Sequence, residues 1–282
     1  ILAPGKLVLA GEYAVLDGAP AISVAINRGV ECIIREAKAD RLCQTPQNDS
    51  RFVFPALSQI QNPLFYEFQD WNPVNSIGQG QKPGFGGSAA ACVVSCYVAE
   101  LPLTQALTIH HQVQGSGSGI DVATSIYGGM IWAENKEYRP IPSIRPLVIW
   151  TGKSAQTGPR VQLYRQIKNR DFFHKESEYW TKHFLIDPIL STQKLYQNLC
   201  KMAQSAGLEY QTTAIEEIVS LAKTYNGSAK PSGAGGGDCV VAFFPDQDSE
   251  NAFVQNCQKK YSIIPIEISK SVHHILPENL ES

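Results

Sequence analysis

Three glycine-rich segments constrain the fold of this chain more than any other feature of its sequence. They span residues 82–89, 115–121 and 230–238, and each borders an apolar run with the pattern of a helix or a strand. Glycines let the backbone approach a ligand closely, and a helix that begins at such a loop presents unpaired N–H groups to an anion. The spacing predicts interleaved helices and strands whose glycine loops bind phosphate.

The first glycine loop, KPGFGGSA at 82–89, precedes an apolar stretch that predicts a helix with Ser88 at its N-cap. The loop lacks the Gly-Lys-Ser/Thr spacing of a Walker A motif and the GxGxxG pattern of dinucleotide-binding folds. A tight capped loop without a ligand is the alternative interpretation.

The other two loops each leave two interpretations open. Asp121, at the foot of the 115–121 loop, either caps a helix or lies beside a reacting group. The 230–238 segment could be a surface linker. However, it directly precedes the apolar strand predicted over 239–244, which favours a loop that contacts phosphate.

Lys6 interrupts an apolar start immediately before a predicted strand. A lysine in this position commonly extends its ammonium to solvent. If Lys6 met Asp121 instead, each side chain would hold the other charged and oriented.

Composition excludes several classes of protein. The 282 residues carry a formal net charge of −2, which argues against a broad basic surface for nucleic acid, and 43% hydrophobic residues argue against disorder. No apolar run approaches the length of a membrane span. The seven cysteines form no CxxC pair, which favours reduced thiols in a cytoplasmic protein over a disulfide or zinc framework.

The predicted elements favour a two-domain α+β protein, divided near the prolines at 140, 142 and 146 into residues 1–145 and 146–282. Strands are predicted over 7–10, 21–26, 29–34, 130–133, 147–150 and 239–244, with another near the end. Helices are predicted after Ser88, over 103–114, through most of 161–221, and over 249–259. Residues 36–82 are predicted to be irregular.

Three motifs in order along the chain resemble those of the GHMP kinases. They are APGKLVLAGEYAVLDG at 3–18, GFGGSAA at 84–90 and SGAGGGD at 232–238. The resemblance implies a two-domain α+β GHMP kinase fold, with an N-terminal ATP-binding domain like domain 2 of ribosomal protein S5 and a ferredoxin-like C-terminal domain. It also implies an ATP- and Mg²⁺-dependent small-molecule kinase with its site in the cleft between the domains.

Within this family, Lys82, the GSGSGIDVA segment at 115–123 and the WTGKSAQT segment at 150–157 most resemble the phosphomevalonate kinase branch. This implies phosphorylation of 5-phosphomevalonate to 5-diphosphomevalonate in the mevalonate route to isoprenoids, by a monomer or homodimer that binds no nucleic acid or membrane. A mevalonate kinase, a decarboxylase of the same fold and a non-catalytic small-molecule sensor are the alternatives.

The resemblance also assigns roles to residues. Lys6 and Asp121 are the implied catalytic pair, and Ser88 is the implied Mg²⁺ ligand. ATP would contact Lys82, Gly84, Gly86, Gly87, Ser88 and Ala89. The acceptor would contact Glu12, Tyr13, Lys153, Arg160, Ser232, Gly233, Ala234 and Gly235.

Two further expectations concern charge. A phosphate acceptor carries about −1.5 to −2 near neutral pH, so cations should cluster around it; those in or beside the matched loops are Lys6, Lys82, Lys153, Arg160 and Lys230. Mevalonate kinases place a second acidic metal ligand before the loop that corresponds to 115–121, but 110–114 reads HHQVQ. The second Mg²⁺ ligand is therefore left open, with water or a phosphate oxygen as candidates.

Overall fold

Two β-sheets, one in each half of the chain, organise the structure. The computed structural model describes residues 1–36, 42–46, 48–71, 83–115 and 117–274. The strands of the first sheet are β1 (Leu2–Ala10), β2 (Ala21–Arg35), β3 (Cys43–Gln44), β4 (Phe65–Trp71), β5 (Met130–Glu134) and β6 (Glu137–Ile141). Those of the second are β7 (Leu147–Trp150), β8 (Ser228–Pro231), β9 (Cys239–Phe243) and β10 (Ser262–Ile264).

Helices cover both sheets. In the first half they are α1 (Phe54–Leu57), α2 (Gly87–Val98), α3 (Gln105–Gln114) and α4 (Ile120–Tyr127), with a 3₁₀ turn at Ala14–Asp17. In the second half they are α5 (Thr157–Arg165), α6 (Asp171–His183), α7 (Pro188–Ser205), α8 (Thr213–Thr224) and α9 (Gln247–Cys257). No helix in the described ranges combines the length and apolar character that crossing a bilayer requires.

The long strand β2 is the centre of the first sheet, whose order is β3-β4-β2-β5-β6 with β1 also paired to β2. Helices α2 and α4 pack on this sheet beside β1. Ala90, Val93 and Val122 are fully buried between these helices and the strands. This packing fixes the N-terminal ends of α2 and α4 close to β1.

The second sheet is antiparallel in the order β10-β7-β9-β8. One apolar cluster joins the two sheets, because Leu7 and Leu9 of β1 pack in the same core as Val148 of β7 and Val241 of β9. The segment after β10 then returns to the first sheet, where His273 pairs with Leu2. The two halves therefore share a core along β1.

The predicted interleaving of helices and strands is confirmed, with three corrections. Residues 36–82 are not irregular throughout, because β4 pairs with the end of β2. Its outward side chains, such as Glu67 and Gln69, pair with charged residues of β2 and dilute the apolar signal. The first strand begins at Leu2 instead of Leu7, and a two-residue turn at Asn135 and Lys136 adds β6. The domain boundary at 145/146 stays a prediction, although the sheets divide between Ile141 and Leu147.

Candidate active site

The first glycine loop lies directly against β1. The Lys6 backbone N–H donates to the carbonyl oxygen of Phe85 at 2.8 Å. An atom at the Cβ position of Gly86 would lie 3.2 Å from Cγ of Lys6 and 3.6 Å from Oδ2 of Asp121. The loop, β1 and the start of α4 therefore meet at one point.

Lys6 and Asp121 form an ion pair at this point, with 3.5 Å between Nζ and Oδ2. The lysine side chain is 11% exposed and the aspartate side chain 37% exposed. Asp121 occupies the first turn of α4, where the helix dipole favours a negative charge. The pair keeps a charged ammonium beside the glycine loop, with its carboxylate partner open to solvent.

Helix α2 begins at Gly87, two residues earlier than predicted, and Ser88 is not its N-cap. The N-cap is Gly86, whose φ of 75° lies in the left-handed region, and it makes no side-chain capping bond. The Ala89 N–H already donates to the Gly86 carbonyl oxygen at 3.0 Å. Gly87 and Ser88 therefore carry the N–H groups that are left for an anion at this helix start.

The third glycine loop reaches the first through Asp238. Its carboxylate lies against Gly84, where a Cβ would come within 2.5 Å of Oδ2, so only glycine fits there. The Asp238 carboxylate accepts the Ala155 N–H at 2.9 Å, and its backbone N–H donates to the Lys153 carbonyl oxygen at 2.7 Å. Burial raises the pKa of Asp238, while the Ala155 N–H and the charges of Lys6 and Arg160 oppose the shift.

Two cations border the third loop on its exposed side. The Arg160 guanidinium occupies the position that a side chain on Gly236 would need, and it donates to the Glu209 carbonyl oxygen. Lys153 is exposed, and its ammonium has no ion-pair partner within the described ranges. Both cations are placed where an anion above the loop could reach them.

The first motif, residues 3–18, also forms bonds that hold the third loop in place. The Lys230 ammonium is fully buried and bonds Oε1 of Glu12, whose side chain is 2% exposed. The Tyr13 hydroxyl donates to the Ala234 carbonyl oxygen at 2.6 Å, and Ser232 Oγ accepts the Val8 N–H at 2.8 Å.

These contacts correct part of the sequence interpretation. The predicted acceptor contacts Glu12, Tyr13 and Ser232 form bonds at the third loop, and their contact with an acceptor stays a prediction. Lys230, predicted as a cation of the site, is neutralised by Glu12 within the core. Burial lowers the pKa of Lys230, although Glu12 opposes this shift. The pairing was not predicted, although an acid in the first motif and a lysine before the third loop hinted at it.

The remaining predicted residues can now be placed. Lys6, Gly86 and Asp121 meet at one point, and Gly84 and Asp238 connect it to the third loop. The loop residues at 233–235 stand above the Glu12–Lys230 pair, since the Gly233 N–H approaches Oε1 of Glu12 at 3.5 Å. Lys82 lies outside the described residues.

A divalent metal is compatible with the side-chain oxygen atoms of Ser88 and Asp121. Ser88 is exposed, and the Asp121 carboxylate is partly open, which gives a hydroxyl and a carboxylate as hard ligands. No three His, Cys, Asp or Glu side chains converge as a metal cluster in the described ranges. Mg²⁺ commonly binds through one or two protein oxygens, water and substrate phosphates, so this donor set fits it.

Comparison with known proteins agrees with this architecture. Residues 191–263 match the family described as GHMP kinases, C terminal. The chain is 24% identical to a phosphomevalonate kinase of Streptomyces sp. (strain CL190), with 97% of each chain covered. It is 28% identical to a mevalonate kinase of Thermococcus gammatolerans, covering 89% of this chain and 90% of the relative.

A solved structure shows the same fold. The Streptococcus pneumoniae phosphomevalonate kinase in complex with phosphomevalonate and AMPPNP superposes with a TM-score of 0.73 at 19% identity, covering 95% of this chain and 99% of that one. Residues 191–263 thus match the C-terminal part of the GHMP kinases, and the fold of the chain is the GHMP kinase fold, as predicted. Its homologues are ATP-dependent small-molecule kinases.

Proposed function

We propose that this kinase transfers the γ-phosphoryl group of ATP to 5-phosphomevalonate, giving ADP and 5-diphosphomevalonate, with Mg²⁺ held at Ser88. The observation that carries the proposal is that Lys6 and Arg160 both lie near Asp238, which links the first and third glycine loops. The charges of both cations oppose the rise in the pKa of Asp238 that burial causes. Two fixed cations suit a reaction between two anions, whose repulsion must be cancelled.

The roles of the residues follow from the geometry. The N–H groups of Gly87 and Ser88 at the start of α2 would bind phosphate oxygens of ATP, and Lys6 would lie beside the transferring group. Arg160 and Lys153, at the third loop, would bind the acceptor phosphate. Mg²⁺, when bound, supplies charge neutralisation between the phosphates.

Asp121 would act mainly by orienting Lys6. An acceptor phosphate oxygen is already ionised near neutral pH, so it needs no strong base to become nucleophilic. Catalysis would then depend on positioning and on charge neutralisation, as in other phosphoryl transfers.

A mevalonate kinase is the second candidate, and one observation favours it. Lys230 is bonded to Glu12 in the core, so the site has fewer free cations than the sequence predicts. A neutral hydroxyl acceptor needs fewer cations than a phosphate acceptor does. In that case Asp121 would be required as a base, and replacing it would cost more activity.

A coupled assay of ADP release separates the candidates. Mevalonate, 5-phosphomevalonate and 5-diphosphomevalonate are compared side by side at equal concentration with ATP and Mg²⁺. The proposal expects the highest kcat/KM with 5-phosphomevalonate. Preference for mevalonate would select the second candidate, and CO₂ release from 5-diphosphomevalonate would indicate a decarboxylase.

A further inference from the structure

His110 of α3 contacts Ser88, which lies in the first turn of α2. Its Nε2 lies 3.3 Å from Oγ of Ser88. The imidazole is 8% exposed, and it packs against the Phe52 ring with 5.0 Å between ring centroids. The contacts with Ser88 and Phe52 therefore fix the orientation of the His110 ring beside the candidate site.

The chemistry of the two groups sets the direction of this hydrogen bond. The tautomer of the imidazole decides which of the two atoms donates. A neutral imidazole can accept through Nε2 when its proton is on Nδ1. The Ser88 hydroxyl then donates a hydrogen bond to Nε2, and both lone pairs of Oγ are directed away from the ring.

This direction matters because Ser88 is not the N-cap of α2, so its hydroxyl is not used for a capping hydrogen bond. A hydroxyl whose proton is directed into the protein can present its lone pairs to a cation. A hydroxyl that is free to rotate would present its proton there in part of its orientations. Ordering it beforehand removes a cost from metal binding.

We propose that His110 is a positioning residue that orients the Ser88 hydroxyl, so that its oxygen is preorganised to bind the divalent cation of the metal–nucleotide complex. The inference rests on the proposed function, because that function places the cation at Ser88. His110 itself need not contact the metal, because it acts through the hydroxyl of Ser88.

The test measures binding of the non-hydrolysable nucleotide AMPPNP by titration calorimetry, with Mg²⁺ and with the metal removed by EDTA. His110→Phe keeps an aromatic ring against Phe52 and removes the acceptor. We expect it to weaken Mg²⁺–AMPPNP binding about fivefold, the worth of one neutral hydrogen bond, and to leave metal-free binding unchanged. His110→Gln, whose amide oxygen reaches the position of Nε2, should restore most of the affinity.

A double-mutant cycle separates positioning from general damage. In the Ser88→Ala background, His110→Phe should have no further effect, because the hydroxyl it orders is absent. Additive losses, equal weakening with and without Mg²⁺, or failure of His110→Gln to rescue would overturn the inference. His110→Asn, too short to reach Oγ, takes the place of His110→Phe if that variant does not fold. Wild-type protein that binds no Mg²⁺–AMPPNP would contradict the proposed function instead.

Discussion

Two acid–lysine pairs begin in the same motif and have opposite surroundings. Lys6 and Asp121 lie beside the first glycine loop, with 3.5 Å between their charged atoms and the aspartate 37% exposed. Glu12, only six residues after Lys6, pairs with Lys230 where both side chains are almost completely buried. The first pair can exchange its partner for a substrate, whereas the second is closed to one.

The difference shows how one motif serves two purposes. A buried pair is strongly held because separating it would leave an uncompensated charge in the core. It thereby fixes the third loop relative to β1, with the help of Tyr13 and Ser232. A partly exposed pair holds a charge in place at lower cost, so the charge remains available for chemistry.

The largest expected effect comes from breaking the buried pair. Lys230→Met should lower the free energy of unfolding by about 3–5 kcal/mol, because the Glu12 carboxylate would be left buried without its counter-charge. Urea denaturation followed by circular dichroism measures the change. The matched double variant, Glu12→Gln with Lys230→Met, removes both charges and should recover most of the loss. A single variant as stable as the wild type would contradict the structural role of this pair.

Breaking the Lys6–Asp121 pair should affect catalysis rather than stability. Lys6→Met removes the ammonium beside the glycine loop, and we expect kcat to fall about 10²–10³-fold, as when one preorganised charge-stabilising group is lost. The midpoint of urea denaturation should move little, because Asp121 can be solvated. Steady-state ADP release and denaturation on the same preparation provide both readouts. A large stability loss with modest kinetic loss would erase the distinction between the two pairs.

How much of this could be predicted depends on the range of the signal. The glycine loops, the helix after the first of them, the strand after the third and the resemblance to GHMP kinases were evident locally, because glycine and apolar periodicity are properties of consecutive residues. The meeting of Lys6 with Asp121 could be posed only as a condition. The pairing of Glu12 with Lys230 was missed because it joins residues 218 positions apart through tertiary packing. Strand β4 was missed because polar residues on its outer face masked its alternation.

The cations beside the third loop extend the comparison to the acceptor. Arg160→Ala and Lys153→Ala should each raise the KM for 5-phosphomevalonate about tenfold and leave the KM for ATP nearly unchanged, if both contact the acceptor phosphate. Arg160 should show the larger effect, because Gly236 and Glu209 hold its guanidinium in place. Initial rates over both substrate concentrations give the two constants. An unchanged acceptor KM in either variant would remove that residue from the site.

Asp238 is half-buried, and replacing it should produce the smallest of these effects. Because burial raises the pKa of Asp238 in the folded protein, the folded state holds this proton to higher pH than the unfolded state does. Its contribution to stability is therefore lost as pH rises from its ordinary pKa of about 3.9 through the raised value. Asp238→Asn keeps an oxygen for the Ala155 N–H and tolerates the φ of 56° at this position. The variant's stability relative to the wild type should thus increase across this pH range and then level off, as urea denaturation in a pH series can measure. A stability difference between variant and wild type that declines with rising pH would show that Lys6 and Arg160 affect the pKa of Asp238 more than burial does. Asp238 would then resemble the Lys6–Asp121 pair.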